Sequence, residues 1–355
     1  MTTIQLKRKP VHLDRRLQTP TQLLLEIQTE DGAIGWFSDG IWDAWNHTEG
    51  AMALEVMGEH EAADRAFSYL QKTQLSDGAW EGDYGNTVPM ADLYHMSRES
   101  NGTFRDTNFT AYCAVGLWHR YVSRSDAADL RTFWPMVRAA FEFVLSLQSE
   151  HGDIAWSTEA KSMGPDDSLR AGNGSIRKSL ECAIKIANVL GETKELQAYR
   201  RALSMLDEAL TNKPERFDRN GEDRMKYAMD WYYPAMGGAV KGHDANMLLR
   251  RHWNDFVVPD LGCHCVLTEP WVTIAETAEL AITLIGLGGR DIAAELIELQ
   301  FNHRDEDGAF WMGYQYAEKL YWPLEKPSWT QAAMILAVDA LRRGSATERV
   351  LASHA

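Results

Sequence analysis

Gln74-Leu75-Ser76-Asp77-Gly78-Ala79-Trp80 closes a helix-patterned segment with a glutamine, turns the chain at an acid-glycine pair and sets a tryptophan just beyond. The same punctuation stands at Gln28-Thr29-Glu30-Asp31-Gly32 with Trp36, at Gln148-Ser149-Glu150-His151-Gly152 with Trp156, and at Arg304-Asp305-Glu306-Asp307-Gly308-Ala309-Phe310-Trp311. Weaker copies at Arg219-Asn220-Gly221 and Asp260-Leu261-Gly262 bring the turns to six. A unit repeated along the chain fixes the architecture before any single residue does.

Between the turns, apolar residues recur every three or four positions, the spacing of helices. The first helix of each pair is expected at 17–27, 59–72, 127–147, 195–212, 243–256 and 291–301, each with one charged face. The second helices, expected at 41–57, 106–121, 175–190, 227–240, 269–287 and 327–341, are rich in Ala, Gly, Thr and aromatics and poor in Lys. A helix that is small or apolar nearly all round packs on several sides, so these form an inner ring. Pro234 should kink or end its helix near Tyr233. Strand signals are nearly absent, and only residues 1–10 and 345–355 read as frayed. The expected fold is all-α: a single domain over 1–355, an (α/α)6 barrel or α/α toroid of six helical hairpins with its core at about 17–342.

This order of outer helix, Gln, glycine turn, aromatic and inner helix resembles the QW-type repeat of the terpenoid cyclase and protein prenyltransferase superfamily. The resemblance covers residues 17–342 and implies a cavity among the inner helices. It speaks for fold more than for chemistry, since the Gln and Trp tie helices together and sugar-active enzymes also use six-hairpin barrels.

Composition narrows the class. With 45% hydrophobic residues the chain can bury a large core, and its 13 Trp need surfaces to line. A formal charge of −15 argues against nucleic acid, whose phosphates call for Lys and Arg. No apolar run approaches the roughly 20 residues of a membrane span. Four cysteines make no disulfide framework, so reduced thiols and a cytoplasmic location are expected. The expected partner is a small-molecule substrate, with a homodimer as the oligomeric form left open.

Helix N-termini favour negative groups, so the start of each inner helix is where chemistry is sought. The candidates are Asp39, Asp43, Trp45 and Asn46 for the first helix, Arg105, Asp106 and Asn108 for the second, and Asp166 for the third. The fourth offers Asp230, Tyr232 and Tyr233, the fifth Glu269 and Trp271, the sixth Trp322, Glu325 and Trp329. Asp106, Asp230 and Glu269 are the candidate catalytic acids and the others candidate substrate contacts. Against this stands the plain reading that Asp and Asn before a helix are N-caps, each worth about 1 kcal/mol. Capping, however, does not call for the accompanying Trp, Tyr and Glu.

The chain departs from the resembling family at its chemistry. The Asp-x-Asp-Asp proton donor of class II terpene cyclases is missing: Arg105 replaces an acid in Thr103-Phe104-Arg105-Asp106-Thr107. The Asp-x-Cys zinc ligands of prenyltransferases are missing too, and Cys263-His264-Cys265 lacks partners at zinc spacing. No cofactor or metal is expected. Three readings remain. The first is an enzyme on an isoprenoid or similar small molecule, using a non-standard acid. The second is a sugar-active hydrolase or lyase with a carboxylate pair drawn from Asp43, Asp106, Asp230, Glu269 and Glu325. The third is a non-catalytic binding ring.

Overall fold

The structure, a computed structural model, describes residues 14–38, 40–84, 104–158, 167–219, 221 and 223–353. Residues 1–10, Asp39, Asp166 and Asn220 lie outside the described residues.

The hairpins pair outer α1 (Gln18–Ile27) with inner α2 (Ala44–Met57), outer α3 (His60–Thr73) with inner α4 (Thr107–Ala111) and α5 (Cys113–Arg124), and outer α6 (Ala127–Ser146) with inner α7 (Arg170–Leu190). Next come outer α8 (Thr193–Asn212) with inner α9 (Ala228–Met236), and outer α10 (Gly242–Arg251), prolonged by the single turn α11 (Trp253–Phe256), with inner α12 (Ile274–Gly286). Outer α13 (Arg290–Gln300) and inner α14 (Ser328–Ala340) complete the set. α2 packs on α5, α5 on α7, α7 on α9, α9 on α12, α12 on α14, and α14 back on α2. The inner ring is therefore closed, as an α/α toroid requires.

The repeated turns hold the rings together by hydrogen bonds that only their residue types allow. Gln74 Nε2 donates to Gly78 O at 2.8 Å, closing its own turn, and to Met136 O at 2.9 Å in the next outer helix. Gln28 does the same with Gly32 O and Ala62 O, and Gln148 with Gly152 O and Ala202 O. Gly78 has φ +90°, and a Cβ there would lie 2.2 Å from Ala139 O, so the turn both needs the left-handed conformation and packs flush on its neighbour. From the inner side, His47 Nδ1 accepts from Ile34 N, Asn173 Oδ1 from Ile154 N, and Gln331 Oε1 from Phe310 N. The first and third turns are thus tied both to their own inner helix and to the next outer one.

Two expectations need correction. The fifth inner helix begins at Ile274, not at 269, because the β-prone Trp271-Val272-Thr273 pairs instead as a strand. It belongs to a five-stranded antiparallel sheet of β1 (Val257–Val258), β2 (Gly262–His264), β3 (Trp271–Thr273), β4 (Gly313–Gln315) and β5 (Leu320–Tyr321). Cys263 faces Thr273 and Tyr314 faces Tyr321 in its register. The segment 345–355, expected to fray, forms α15 (Ala346–Leu351), with Thr347, Val350 and Leu351 buried against α5, α12 and α14. Pro234 does end its helix early: α9 stops at Met236, and Pro234 offers no N–H to the Asp230 carbonyl one turn back. Among the described residues no helix is long and apolar enough to cross a membrane.

Candidate active site

Asp43 is the N-cap of α2 and is fully buried; Oδ1 accepts from Asn46 N at 2.9 Å, and Oδ2 from Trp36 Nε1 and Asn46 Nδ2, both at 2.6 Å. Burial pushes this carboxyl up, and its donors pull it back. The bonds give Asp43 and Asn46 a structural task that accounts for them. Arg105 pairs with Asp77 at 3.0 Å and with Glu81 at 3.5 Å, which draws it toward the second glycine turn.

Asp106 caps α4, accepting from Phe109 N at 2.9 Å, and burial aided by the Asp43 charge pushes it up to about 7. Asp230 lies in the first turn of α9 and caps nothing. It is buried, and among the described residues neither carboxyl oxygen has a hydrogen-bond partner. Burial pushes Asp230 up to about 7, although the Arg224 guanidinium 3.4 Å from Oδ2 opposes the shift. The helix N-terminus also opposes it, so the missing solvation outweighs both.

Asp106 and Asp230 line one cavity of about 230 Å³, with Asn108, Trp156, Arg224 and Tyr227 among its walls. The volume lies just under the roughly 300 Å³ at which small-molecule pockets begin, which suits one ring of a longer ligand. Asn108 Oδ1 is buried there without a partner among the described residues. A wider depression of about 580 Å³ lies on the outer ring beside Glu150 and Glu208, both exposed, and brings together no inner-helix acids.

The remaining candidates divide into two groups that do not line this cavity. Glu269 is exposed in the turn between β2 and β3, because the strand displaces it from the start of α12. Nearby, Trp271 meets Trp322 edge-on at 5.4 Å and donates to its carbonyl at 2.5 Å, while Trp329 meets Trp36 edge-on at 5.5 Å. Burial pushes Glu325 up to about 7, and its Oε2 has no partner among the described residues. Trp45, Tyr232 and Tyr233 turn instead into the ring's interior. There Trp45 stacks on Tyr112 with centroids 3.8 Å apart, Tyr112 donates to Glu49 Oε1 at 3.0 Å, and both tyrosines donate to Glu279.

Glu49 and Glu279 were missed by sequence reasoning. Glu49 is buried and Glu279 half-buried, and desolvation holds both carboxyls above their ordinary range, with like charge between the two adding to the effect on Glu49. No motif marks them; each shares its largely small or apolar inner helix with one other acid, Glu55 in α2 and Glu276 in α12, and nothing local separates the two. Cys263-His264-Cys265 forms β2 and the residue after it, where His264 Nδ1 contacts Glu269 O at 2.9 Å and Nε2 contacts Tyr316 Oη at 3.3 Å. Those ring atoms are occupied by protein partners.

No protein-family model matches the chain. Over 322 residues, spanning 91% of this chain and 85% of the relative, it is 38% identical to the MMP endo-(1,4)-3-O-methyl-α-D-mannosidase of Mycolicibacterium hassiacum. Among solved structures, a glycosidase variant in complex with glucose superposes with a TM-score of 0.69 at 11% identity, covering 92% of this chain and 96% of that one. A bacterial glucoamylase complexed with acarbose superposes with a TM-score of 0.67 at 12% identity, over 96% of this chain and 56% of that one. At such identities the structures speak for the fold alone. The mannosidase relative corrects the expected affinity within toroids from the isoprenoid type to the glycosidase type. It favours the sugar-active alternative over the isoprenoid reading.

Proposed function

The chain belongs to the family of the MMP endo-(1,4)-3-O-methyl-α-D-mannosidase, and on that premise we propose that it is a glycoside hydrolase opening an α-(1,4)-mannosidic bond inside an oligosaccharide. The observation that carries the site assignment is Asp230, a buried acid that has the Arg224 guanidinium 3.4 Å away but no hydrogen-bond partner among the described residues, facing the same cavity as Asp106. Glycoside cleavage asks for two carboxyl groups, one to protonate the leaving oxygen and one to activate water or attack the sugar.

Asp230 suits the acid. Held up to about 7 by burial despite the Arg224 guanidinium beside it, it keeps a proton in near-neutral solution and can deliver it to the glycosidic oxygen. Burial raises Asp106 to about 7 as well, and of the two it suits the ionised partner because the backbone N–H groups at the start of α4 hydrogen-bond its carboxylate form. The sugar C1–O bond breaks as the leaving oxygen takes the Asp230 proton. The hydroxyl of water ends on C1 and its remaining proton returns to the carboxyl pair. Trp156 and Tyr227 supply ring faces for the C–H side of the sugar, and Asn108 and Arg224 supply polar partners.

The non-catalytic reading accounts for Asp43, whose acceptors are filled by capping and side-chain bonds, but not for Asp230. The test is incubation with an α-(1,4)-linked mannooligosaccharide rich in 3-O-methylmannose, with products sized by mass spectrometry. Internal cleavage that disappears in Asp230→Asn is the expected result. An intact oligosaccharide after prolonged incubation, or undiminished cleavage by the variant, overturns the proposal.

A further inference from the structure

Each inner helix follows an outer partner across one of the repeated turns, so all six inner helices begin at the same end of the ring. The cavity of Asp106 and Asp230 takes up half of that mouth, its lining drawn from the starts of α4, α7 and α9. The other half belongs to α12, α14 and α2, and there tryptophans collect. Trp36 precedes α2, Trp271 lies in the strand that leads into α12, and Trp322 and Trp329 bracket the entry to α14.

Backbone bonds fix these segments on one another. Ser328 N donates to Trp36 O at 3.0 Å, Ile274 N to Met312 O at 3.2 Å, and Met312 N to Glu325 O at 2.9 Å. The indoles meet edge-on in two pairs, Trp36 with Trp329 and Trp271 with Trp322, and all four stay only half-buried. Trp311 differs, since it stacks on Tyr321 and has the Lys326 ammonium over its ring. Polar atoms without partners gather at the same place. Glu325 Oε2, Thr273 Oγ1 and Ser328 Oγ are enclosed, and none has a hydrogen-bond partner among the described residues.

Half-bare aromatic faces beside unpaired polar groups are the two requirements of a sugar-binding surface. The faces take the C–H side of a pyranose, and the polar groups take its hydroxyls. Burial holds the Glu325 carboxyl up to about 7, so near neutral pH it can donate to a hydroxyl as well as accept from one. Across the mouth, the cavity of about 230 Å³ has room for one ring. A bond inside an oligosaccharide has rings on both sides, and those beyond the cavity must lie over the rest of the mouth. Asp43 links the two halves, accepting from Trp36 Nε1 on one side while its charge reaches Asp106 on the other.

We propose that the tryptophan half of the mouth is a second sugar subsite, in which Trp322 and Trp329 receive a ring of the oligosaccharide and Glu325 hydrogen-bonds it. The inference rests on the hydrolase reading above and adds where the chain runs beyond the reacting acids. Held at both halves, the chain presents an internal bond to Asp230, and affinity rises with chain length.

The test is isothermal titration calorimetry on Asp230→Asn, which should bind without cleaving, with α-(1,4)-linked oligosaccharides of 3-O-methylmannose two and six residues long. The hexamer should bind at least about tenfold more tightly than the dimer, the weight of one buried aromatic contact. Trp322→Ala and Glu325→Leu, each added to Asp230→Asn, should bring the hexamer down to the affinity of the dimer. The dimer should bind as before, which shows that the fold and the cavity are intact. Equal affinity for both lengths, or a length effect that survives both substitutions, overturns this inference and leaves the hydrolase reading standing. So does loss of dimer affinity in both variants, since the two halves would then be one site. Binding of neither oligosaccharide by Asp230→Asn, with no cleavage by the wild type, overturns the hydrolase reading and this inference with it.

Discussion

The Arg224 guanidinium stands 3.4 Å from Asp230 Oδ2, yet burial still pushes the Asp230 carboxyl up to about 7. An adjacent cation ordinarily depresses a carboxyl, so enclosure by α7 and α9 outweighs it. A carboxyl raised in the folded state stabilises the fold fully below its unfolded value near 3.8, and that contribution is lost as pH rises through about 7. Asp230→Asn removes the ionisable group. Its melting temperature should match wild type near pH 4 and exceed it by several degrees at pH 8, as differential scanning calorimetry would show. An equal difference at both pH values would mean that the carboxyl does not titrate in this window.

The same protonation sets the rate. If Asp230 is the proton donor, hydrolysis falls as pH rises past about 7, since the ionised form has no proton to give. A pH profile of kcat/KM on an α-(1,4)-mannooligosaccharide would show this alkaline limb. A profile flat from pH 6 to 9 would remove Asp230 from that role.

Asp106 carries a cap and, on the present reading, chemistry, and two substitutions separate them. Asp106→Asn keeps a good N-cap for α4 while losing the carboxylate, so stability should hold and turnover fall at least about a hundredfold. Asp106→Ala should lose both, with about 1 kcal/mol of stability gone as well. Normal turnover by Asp106→Asn would leave Asp106 as a cap only.

Gly172 sits in the first turn of α7 at the cavity wall. A Cβ there would meet only Leu169 Cβ at 3.7 Å and Asn108 Cβ at 3.9 Å, which is ordinary contact. Gly172→Leu should therefore fold as well as wild type or better, since Gly is a poor helix former, while its side chain occupies the substrate's space. Circular dichroism melts together with a rise in KM, or loss of turnover, would confirm the expectation. Undisturbed kinetics would place the substrate elsewhere.

At the turns the opposite holds. Gly78→Ala asks an L-residue to adopt φ +90° with its Cβ 2.2 Å from Ala139 O. A loss of at least about 2 kcal/mol is expected from backbone strain and the displaced neighbour together. Chemical denaturation with an unchanged midpoint would contradict the packing described between the second turn and α6.

The sequence by itself determined the repeat, and with it the ring. Gln74, Gly78 and Trp80 are legible because a left-handed glycine, a glutamine that reaches two carbonyls and a large ring beside them are requirements of one local shape, met again at 28–36 and 148–156. Asp106 and Asp230 were legible as acids at inner-helix starts, where helix geometry alone places them toward a shared centre. Only the tertiary structure decided which acids differ. Asp43 has its acceptors filled by Trp36 and Asn46, Asp230 has the Arg224 ion pair but no hydrogen-bond partner among the described residues, and Glu269 is carried out to an exposed hairpin because Trp271 to Thr273 pairs with β2 and β4. Glu49 and Glu279 come together from α2 and α12, far apart in the chain, so their mutual repulsion has no local trace. Helix periodicity is a property of neighbours in sequence, whereas desolvation and charge coupling depend on everything packed around a group, and those neighbours exist only once the ring has closed.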